Sequence, residues 1–341
     1  MSRASCWPML TTLCRWQTKM NNDPDTVADY GQLNEASGWV DVSERTLLQL
    51  TGDDRFVFLH NMCTNEIKAL QVGQGTELFL TTVQGKVLAY GFAHNRSNDI
   101  LLDTSAGQAS AMIAHLDRYV IREDVALQEA ELSCLVVTGQ ASTQVLADVA
   151  GIPLPEEPLA NAEGQFAGAT ITICRYPFTH WPTYCILLPP EVLPGFAEQL
   201  TEAGCHRCPL EVWEALRVEA GVPEYGRDID ETNLPQEVGR DTEAISFVKG
   251  CYLGQETVAR IDALGHVNRM LVGVELAGGE MHPGDEFLVE QKPVGRLTSV
   301  AVSPRTGKAI GLATVKRGFH ECGTVLSSAH GTVEVCRSPA Q

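Results

Sequence analysis

The first part of the chain alternates apolar and polar positions in the pattern of strands, interrupted by one helical stretch. Residues 37–52 predict a strand that ends in a turn at Thr51–Gly52. Residues 53–70 have apolar side chains three and four positions apart, which predicts an amphipathic helix capped by Asp53 or Asp54. The buried face of this helix is predicted to consist of Phe56, Leu59, His60 and Cys63.

The following residues continue the same mixture of strands and helices. Residues 75–105 alternate like paired strands with turns at Gln84–Gly85 and Ser97–Asn98, and residues 106–120 return to helical spacing. The order of strand, helix, several strands and helix indicates an α+β layer with an antiparallel sheet. A second unit begins near residue 132 and ends in a helix before residue 205, and residues 155–165 within it are predicted to be a connecting loop.

The last part of the chain has a different pattern. From about residue 266 onward, short apolar runs are separated by frequent glycine and proline, which predicts a small β-barrel or sandwich. We therefore expect an α+β protein with the following parts: a tail at 1–29, an α+β unit at 30–131, a second one at 132–205, a central segment at 206–265 and a barrel at 266–337.

The charge of the chain narrows the class of partner. The 341 residues carry a formal net charge of −18, which disfavours binding to nucleic acid and to anionic membranes and is compatible with small molecules or protein partners. No run of about 18 apolar residues is present, so no transmembrane helix is predicted. We expect a monomer in the cytoplasm.

The N-terminus and the cysteines bear on the compartment. The first twenty residues contain Arg3, Arg15 and Lys19 but no acid, which suits either an organelle transit peptide, and hence the mitochondrial matrix, or a disordered tail that precedes a true start at Met20. Eleven scattered cysteines favour a reducing compartment over a disulfide framework. The pair Cys205 and Cys208 is predicted to be two unrelated thiols in a loop, and no metal site is predicted.

Residues 209–226 predict a helix with one unusual position. Val212, Leu216 and Ala220 fall on one apolar arc, with Trp213 at its edge, whereas Glu211, Glu214 and Arg217 fall on the opposite arc. Glu219 lies in the middle of the apolar arc, where a carboxylate is costly unless it is paired. Glu219 is therefore a candidate to accept hydrogen bonds from an N–H-rich ring, the alternatives being an internal salt bridge or an escape to solvent at the helix end.

The stretch KGCYLGQETVAR, residues 249–260, contains a candidate reactive thiol. Cys251 lies between Gly250 and Gly254, beside Lys249, and just before a predicted helix that Gly265 closes. A neighbouring cation and a helix N-terminus both favour a thiolate. The alternative is an inert cysteine packed in a turn.

The same stretch resembles a known family. KGCYLGQE, followed by VAR and GHVNRMLVGV, is similar to the signature of the YgfZ-type folate-binding proteins, which support iron–sulfur clusters and are relatives of the glycine cleavage T-protein, a tetrahydrofolate-dependent aminomethyltransferase. The resemblance covers about Trp39 to Arg337 and includes EALRVEAGVPEYGRDI and NLPQE. It implies a three-domain cloverleaf, two α+β units and a C-terminal β-barrel, around a central folate channel.

The resemblance also implies roles for particular residues. Tetrahydrofolate would be held by Glu219 and Trp213, and Cys251 would be the functional thiol, with Lys249 favouring its thiolate. The folate-binding set would further include Tyr252, Gln255 and Glu256, the last two serving as cap and first-turn charge of the following helix. Expected partners are folate and iron–sulfur client or assembly proteins, with an indirect effect on tRNA modification.

One departure from the family changes the expected activity. The aminomethyltransferases carry an aspartate pair, one of which is the acid–base residue, where this chain has Ala89 and Tyr90. A methyl group and a phenol with a normal pKa of about 10 do not replace a carboxylate at neutral pH. Glycine-cleavage transfer is therefore not expected. Iron–sulfur support is the leading hypothesis, and the alternatives are a one-carbon transferase or demethylase with another substrate, and a plain binding module.

Overall fold

The computed structural model describes residues 33–178, 181–303 and 305–336, so the predicted tail at residues 1–29 lies outside the described residues. The first half of the fold consists, in chain order, of β1 (Ser37–Asp41), β2 (Thr46–Thr51), α1 (Arg55–Met62), β3 (Gly75–Thr81), β4 (Val87–Asn95), β5 (Ile100–Thr104), α2 (Ala109–Leu116), β6 (Ala126–Glu129), β7 (Ser133–Thr138), α3 (Ser142–Ala150) and β8 (Asn161–Phe166).

The second half continues with β9 (Ala169–Tyr176), β10 (Thr183–Leu188), α4 (Leu193–Glu202), β11 (Cys205–Arg207), α5 (Leu210–Glu219), α6 (Asp241–Ala244), α7 (Gln255–Leu264), β12 (Arg269–Gly279), β13 (Glu286–Val289), β14 (Lys292–Val302), β15 (Ala309–Lys316), β16 (Val325–Ser327) and β17 (Gly331–Cys336). Two short 3₁₀ turns, Asp117–Tyr119 and Pro235–Glu237, accompany these elements.

The strands form three groups, and the predicted fold class is confirmed. A five-stranded antiparallel sheet has the order β3-β4-β5-β2-β6, and a six-stranded sheet has the order β11-β1-β7-β10-β9-β8. The last six strands close into a barrel in the order β12-β15-β14-β13-β16-β17. One hydrophobic cluster joins all three groups, because it contains Leu47 and Phe92 of the first sheet, Tyr176 of the second, and Leu312 of the barrel.

The prediction of one strand over residues 37–52 is wrong. The stretch contains two strands that belong to different sheets, since β1 pairs with β7 and β11 whereas β2 pairs with β5 and β6. The chain turns between them where the backbone N–H of Ser43 donates to the carboxylate of Asp41 at 3.0 Å. Alternation continues through this turn, so periodicity alone does not reveal the break. The turn also carries Arg45 to the junction between the two sheets.

The loop predicted at residues 155–165 contains a strand. β8 pairs antiparallel with β9 along its whole length and forms an edge of the six-stranded sheet. Its middle residues include the exposed side chains Glu163 and Gln165. A polar edge strand is a common means of preventing sheet-to-sheet aggregation, and its composition resembles that of a loop.

The structure contains the helix predicted over residues 53–70, but this helix is shorter than predicted and buries a slightly different face. α1 ends at Met62, and Phe58 rather than Phe56 is buried together with Leu59 and His60. Asp54 occupies the cap position, but its side chain makes no capping hydrogen bond and instead accepts the backbone N–H of Asp124 at 2.8 Å. The acidic residue therefore joins two loops instead of capping the helix.

Arg217, which the wheel places on the arc opposite to the apolar one, is buried. α5 packs against β14 and β15 of the barrel on one side and β1 on the other, so residues Val212 to Glu219 are buried almost all round the helix. The Arg217 side chain is 2% exposed and forms ion pairs with Glu214 and Asp228, at 2.7 and 2.8 Å. Charge compensation inside the fold therefore allows a residue of the polar arc to be buried.

The two cysteines of the CHRC stretch lie on different sides of the sheet. Cys205 is the first residue of β11 and packs in the cluster covered by α3 and α4, whereas Cys208 packs in the central cluster. An offset of three residues at a strand end places the two side chains on opposite faces. The prediction that the thiols are unrelated is confirmed, although Cys205 belongs to a strand and not to a loop.

Candidate functional site

The KGCYLGQE segment is attached to the first domain through Lys249. The Nζ atom of this buried lysine donates to the carbonyl oxygens of His60, Cys63 and Asn65 at 2.6, 2.9 and 2.7 Å. These carbonyls lie at and just beyond the C-terminal end of α1, the negative end of the helix dipole. Burial lowers the pKa of Lys249. The lysine therefore closes the C-terminus of α1.

The rest of the segment contacts α1 and the β3–β4 turn through its backbone. The N–H of Leu253 donates to the carbonyl of Asn61, and its own carbonyl accepts the hydroxyl of Thr81. Gly254 has a φ of 83°, and a Cβ at this position would lie 2.5 Å from the carbonyl oxygen of Thr82. A glycine is therefore required both for the conformation and for the close approach.

The helix after this segment begins as predicted but with a different cap. α7 spans Gln255–Leu264 and is closed by Gly265 in the left-handed conformation. The cap position is Gly254, so Gln255 is the first helical residue and not the cap. Glu256 is the acidic residue of the first turn and is exposed. Tyr252 is buried, and its ring lies 5.0 Å from the ammonium group of Lys249.

Cys251 is exposed at the surface, in contrast to most cysteines of the described residues. Phe247 and Val248, which precede Lys249, are large apolar side chains that are also exposed, at 46% and 96%. The ammonium group of Lys249 is directed to the three carbonyls of the α1 end. The role of Lys249 in favouring a Cys251 thiolate therefore stays a prediction, because the described hydrogen bonds of the lysine go elsewhere.

Glu219 is buried at the end of α5, as the wheel suggested. It is the last residue of the helix and is 3% exposed. The hydroxyl of Ser303 donates to its Oε1 atom, and Nε of Arg305 lies 4.0 Å from the same oxygen. Both partners follow β14, so the barrel supplies the groups around this carboxylate. A buried carboxylate with a hydroxyl partner can accept further N–H donors.

Trp213 lies at the junction of the two sheets, where its ring is part of an aromatic cluster. Its ring centroid is 6.1 Å from that of Tyr176 and 5.5 Å from that of Phe178. The guanidinium of Arg45 lies 5.3 Å from the indole centroid and also pairs with buried Asp103 at 2.7 Å. The tryptophan is therefore fixed by two tilted aromatic contacts and a cation–π contact.

A third group of polar residues was missed by the sequence argument. The hydroxyl of Tyr90 donates to Oε1 of Glu77 at 2.8 Å, and Arg240 binds the same carboxylate through Nε and Nη2 at 2.8 and 2.7 Å. Glu77 and Tyr90 are both buried. Burial, followed by the charge of Glu77, raises the pKa of Tyr90 well above its ordinary value. A carboxylate thus contacts the tyrosine that replaces the expected aspartate.

A cavity of about 300 Å³ lies where α5 meets the barrel. Its wall consists of the end of α5 at Ala220 and Gly221, the segment that carries Arg240 and Glu243, and the barrel strands at Leu271–Gly273 and Leu312. The volume is at the lower end of the range for small-molecule sites. Ala220, which lines the cavity, is the residue that follows Glu219 in the chain.

The predicted site residues therefore form two groups. The contacts of Lys249 and Leu253 run to α1 and the β3–β4 hairpin, whereas those of Glu219 and Trp213 run to the barrel and the aromatic cluster. Within the described ranges, no cluster of histidine, cysteine and acidic residues has the geometry of a metal site. No helix among the residues that the structure describes is long and apolar enough to cross a membrane.

Comparison with known proteins identifies the family to which the fold belongs. Residues 13–246 match the model of the GCVT N-terminal domain, and residues 269–339 match that of the glycine cleavage T-protein C-terminal barrel domain. The chain therefore belongs to the glycine cleavage T-protein family. The match begins before residue 30, so the family likeness extends further toward the N-terminus than the sequence motifs indicated.

Individual relatives agree with this assignment. A putative chloroplastic transferase of Arabidopsis thaliana is 27% identical over 292 residues, which cover 84% of this chain and 67% of the relative. An aminomethyltransferase of Rippkaea orientalis is 28% identical over 307 residues, which cover 85% of this chain and 81% of the relative. The crystal structure of glycine cleavage system aminomethyltransferase T from Bartonella henselae has the same fold, with a TM-score of 0.84, 20% identity, and coverage of 93% of this chain and 89% of that one.

Proposed function

We propose that this protein binds tetrahydrofolate and takes part in one-carbon transfer, the alternative that the sequence argument placed second. The observation that carries this proposal is the buried carboxylate of Glu219 at the junction of α5 and the barrel, in a T-protein fold. Glu219 would accept N–H groups of the pterin ring, because a carboxylate forms strong, charge-assisted hydrogen bonds with such donors. Trp213, fixed beside Arg45, would contact the ring system.

The group at Tyr90 supports a transferase more than the sequence alone suggested. Ala89 and Tyr90 stand at the aspartate positions, but Glu77 brings a carboxylate to Tyr90 from the neighbouring strand. Folate itself supplies the one-carbon carrier. The chain supplies the binding carboxylate, the aromatic contact and a buried acid that is paired with Arg240. The ion pair with Arg240 holds the carboxylate of Glu77 in one position and compensates its charge.

Replacing Glu219 by glutamine is expected to weaken tetrahydrofolate binding at least tenfold. The change keeps the volume but removes a charged acceptor, and hydrogen bonds to charged groups contribute about 1.5–3 kcal/mol. Calorimetry on anaerobically purified protein measures the affinity. The matched control is Glu211→Gln, which alters an exposed glutamate of the same helix. Equal affinities of wild type and Glu219→Gln, or no binding by folded wild type, would remove folate from this site.

The exposed thiol favours a second candidate function. We propose, following the resemblance to the YgfZ-type proteins, that Cys251 acts on iron–sulfur client or assembly proteins, with tRNA modification affected through those clients. The support comes from the surroundings of Cys251. Its side chain is exposed, as are those of nearby Phe247 and Val248, whereas Lys249 is buried and binds the carbonyl of His60. The proposed location is the cytoplasm, or an organelle if the first twenty residues are a transit peptide.

The Cys251→Ala variant is expected to leave the free energy of unfolding unchanged within about 0.5 kcal/mol, as for exposed positions without a structural contact. Activity of cluster-containing enzymes in cells that carry this variant should fall, whereas Cys322→Ala, which removes another exposed thiol, should have no effect. Urea denaturation measures the first quantity and extract assays the second. A stability loss above 1 kcal/mol would indicate a structural cysteine, and unchanged cluster enzymes would reject this second candidate.

A further inference from the structure

Two cysteines bracket the last hairpin of the barrel. Cys322 precedes β16 and Cys336 is the last residue of β17, so the chain between them consists of these two paired strands and their turn. Cys322 is exposed and Cys336 is half-buried. Neither thiol is among the predicted site residues. The two thiols therefore lie together at the open end of one hairpin.

The backbone around Cys322 places it opposite Cys336. The N–H of Gly323 donates to the carbonyl oxygen of Val335 at 2.8 Å. Cys322 precedes the donor and Cys336 follows the acceptor, so both flank this hydrogen bond on the same side of an antiparallel pair. Residues in this relation form a non-hydrogen-bonded pair, with Cα atoms about 4.5 Å apart. That separation lies within the range of about 4.4–6.8 Å that disulfides span, so the backbone has the spacing for a bond.

A tight turn holds Cys322 in this position. The N–H of Thr324 donates to the carbonyl oxygen of Glu321 at 3.1 Å, and Gly323 has the positive φ, 84°, that the third residue of a type II turn requires. The N–H of Val335 donates to the carbonyl oxygen of Thr324 at 2.9 Å from the other strand. The backbone on both sides of the thiol is therefore fixed, and closing a bond from it costs little further ordering of the chain.

The hairpin contains a strand that is held by a short ladder. β16 has three residues, and among the described residues it pairs with β13 only where Leu288 lies opposite Ser327. The seam between β12 and β15, in contrast, extends from Arg269 to Glu275 along β12. Strands with few backbone hydrogen bonds open locally at a lower cost than strands with long ladders. A covalent bond across the open end of the hairpin would therefore limit the opening of β16.

We propose that Cys322 and Cys336 form a reversible disulfide that closes the β16–β17 hairpin when a small-molecule disulfide oxidises the protein. The exposed thiolate of Cys322 attacks one sulfur of the small disulfide, whose other sulfur leaves as a thiolate. The thiolate of Cys336 then attacks the sulfur of Cys322, and the second small thiolate leaves. The protons of the two cysteines pass to the two leaving thiolates, so the cysteine pair is oxidised and the small disulfide is reduced to two thiols.

The order of attack follows from exposure and acidity. Cys322 is exposed, whereas burial, followed by the charge of the neighbouring Cys322, raises the pKa of Cys336 to about 11. Cys336 is therefore the less ready nucleophile near neutral pH, and the second step should accelerate as the pH rises toward that value. The bond does not depend on folate at Glu219 or on the thiol of Cys251. The reduced protein does not need it, so the functions proposed above are unaffected by its absence.

Incubation of the native full chain with oxidised glutathione, followed by alkylation and tryptic mass spectrometry, tests the proposal. Both cysteines fall in the tryptic peptide 318–337, so the bond appears as a peptide that lacks two hydrogen atoms and carries no alkyl group. This form should predominate, and dithiothreitol should remove it. It should persist in Cys251→Ala and be absent from Cys336→Ala, which should accumulate glutathione on Cys322 instead. A native peptide that carries glutathione at Cys322 but never loses the two hydrogen atoms would overturn the proposal.

Repetition of the incubation in denaturing urea shows whether the fold brings the thiols together. At a fixed ratio of oxidised to reduced glutathione, the ratio of closed to open peptide should be at least about tenfold higher in native than in unfolded protein, because the hairpin fixes both ends of the loop. Oxidation should also slow hydrogen exchange of the β16 and β17 amides at least about tenfold. Equal closure in native and unfolded protein, or unchanged exchange after closure, would reject a disulfide that holds this hairpin.

Discussion

Replacing Asp228 by alanine is expected to lower the free energy of unfolding by about 3 kcal/mol, because it removes one of the carboxylates that compensate the buried guanidinium of Arg217 and leaves the hydroxyls of Thr298 and Ser299 without their acceptor. The Asp228 side chain is 0% exposed and accepts Nη1 of Arg217 at 2.8 Å. It also accepts the hydroxyls of Thr298 and Ser299, each at 2.6 Å, and the backbone N–H of Glu224 at 2.9 Å. One carboxylate therefore connects α5, the following loop and the barrel strand β14.

The loss of stability should be specific to the hydrogen-bonded network around Asp228. Asp53→Ala, which changes an exposed aspartate, is expected to alter stability by less than about 0.5 kcal/mol. Replacing both members by apolar residues, Arg217→Met with Asp228→Leu, should recover a large part of the loss, because buried ion pairs contribute little beyond their own desolvation cost. Urea denaturation of the four proteins measures these values. A loss below 1 kcal/mol for Asp228→Ala would show that the barrel is held to α5 by apolar contacts alone.

The helical wheel of α5 illustrates what the sequence could predict. It placed Val212, Leu216 and Glu219 toward the interior, and all three are buried. It placed Arg217 on the opposite, polar arc, but a wheel distinguishes only one buried face, whereas α5 has the barrel on one side and a sheet on the other. A helix enclosed on two sides carries buried charges that are compensated by residues distant in sequence, such as Asp228. Periodicity contains no information about such partners.

The same limit applies to the group around Tyr90. The departure from the aspartate pattern drew attention to this position, but nothing local pointed to Glu77. The two residues meet because β3 and β4 are paired, with Phe79 opposite Tyr90, and Arg240 arrives from a position 163 residues further along the chain than Glu77. The motif residues were predictable individually. Their division into two groups, one on α1 and one at the barrel, required the fold.

Replacing Lys249 by methionine is expected to lower the free energy of unfolding by about 2–4 kcal/mol. Methionine keeps most of the apolar stem but leaves the carbonyls of His60, Cys63 and Asn65 without their donor. Hydrogen bonds to charged groups contribute about 1.5–3 kcal/mol each, and the cost of burying the ammonium group offsets part of their sum. Lys68→Met, at an exposed lysine near the same helix end, should change stability little.

The result decides between two roles of the lysine in the KGCYLGQE segment. Urea denaturation measures the stability, and hydrogen exchange at the C-terminal end of α1 measures the local opening that the lost hydrogen bonds should cause. Loss of both stability and protection would make Lys249 the residue that anchors the segment and so presents Cys251 at the surface. Unchanged stability together with slower alkylation of Cys251 would instead support the predicted effect of Lys249 on the thiolate, because only an electrostatic role acts on the thiol without acting on the fold.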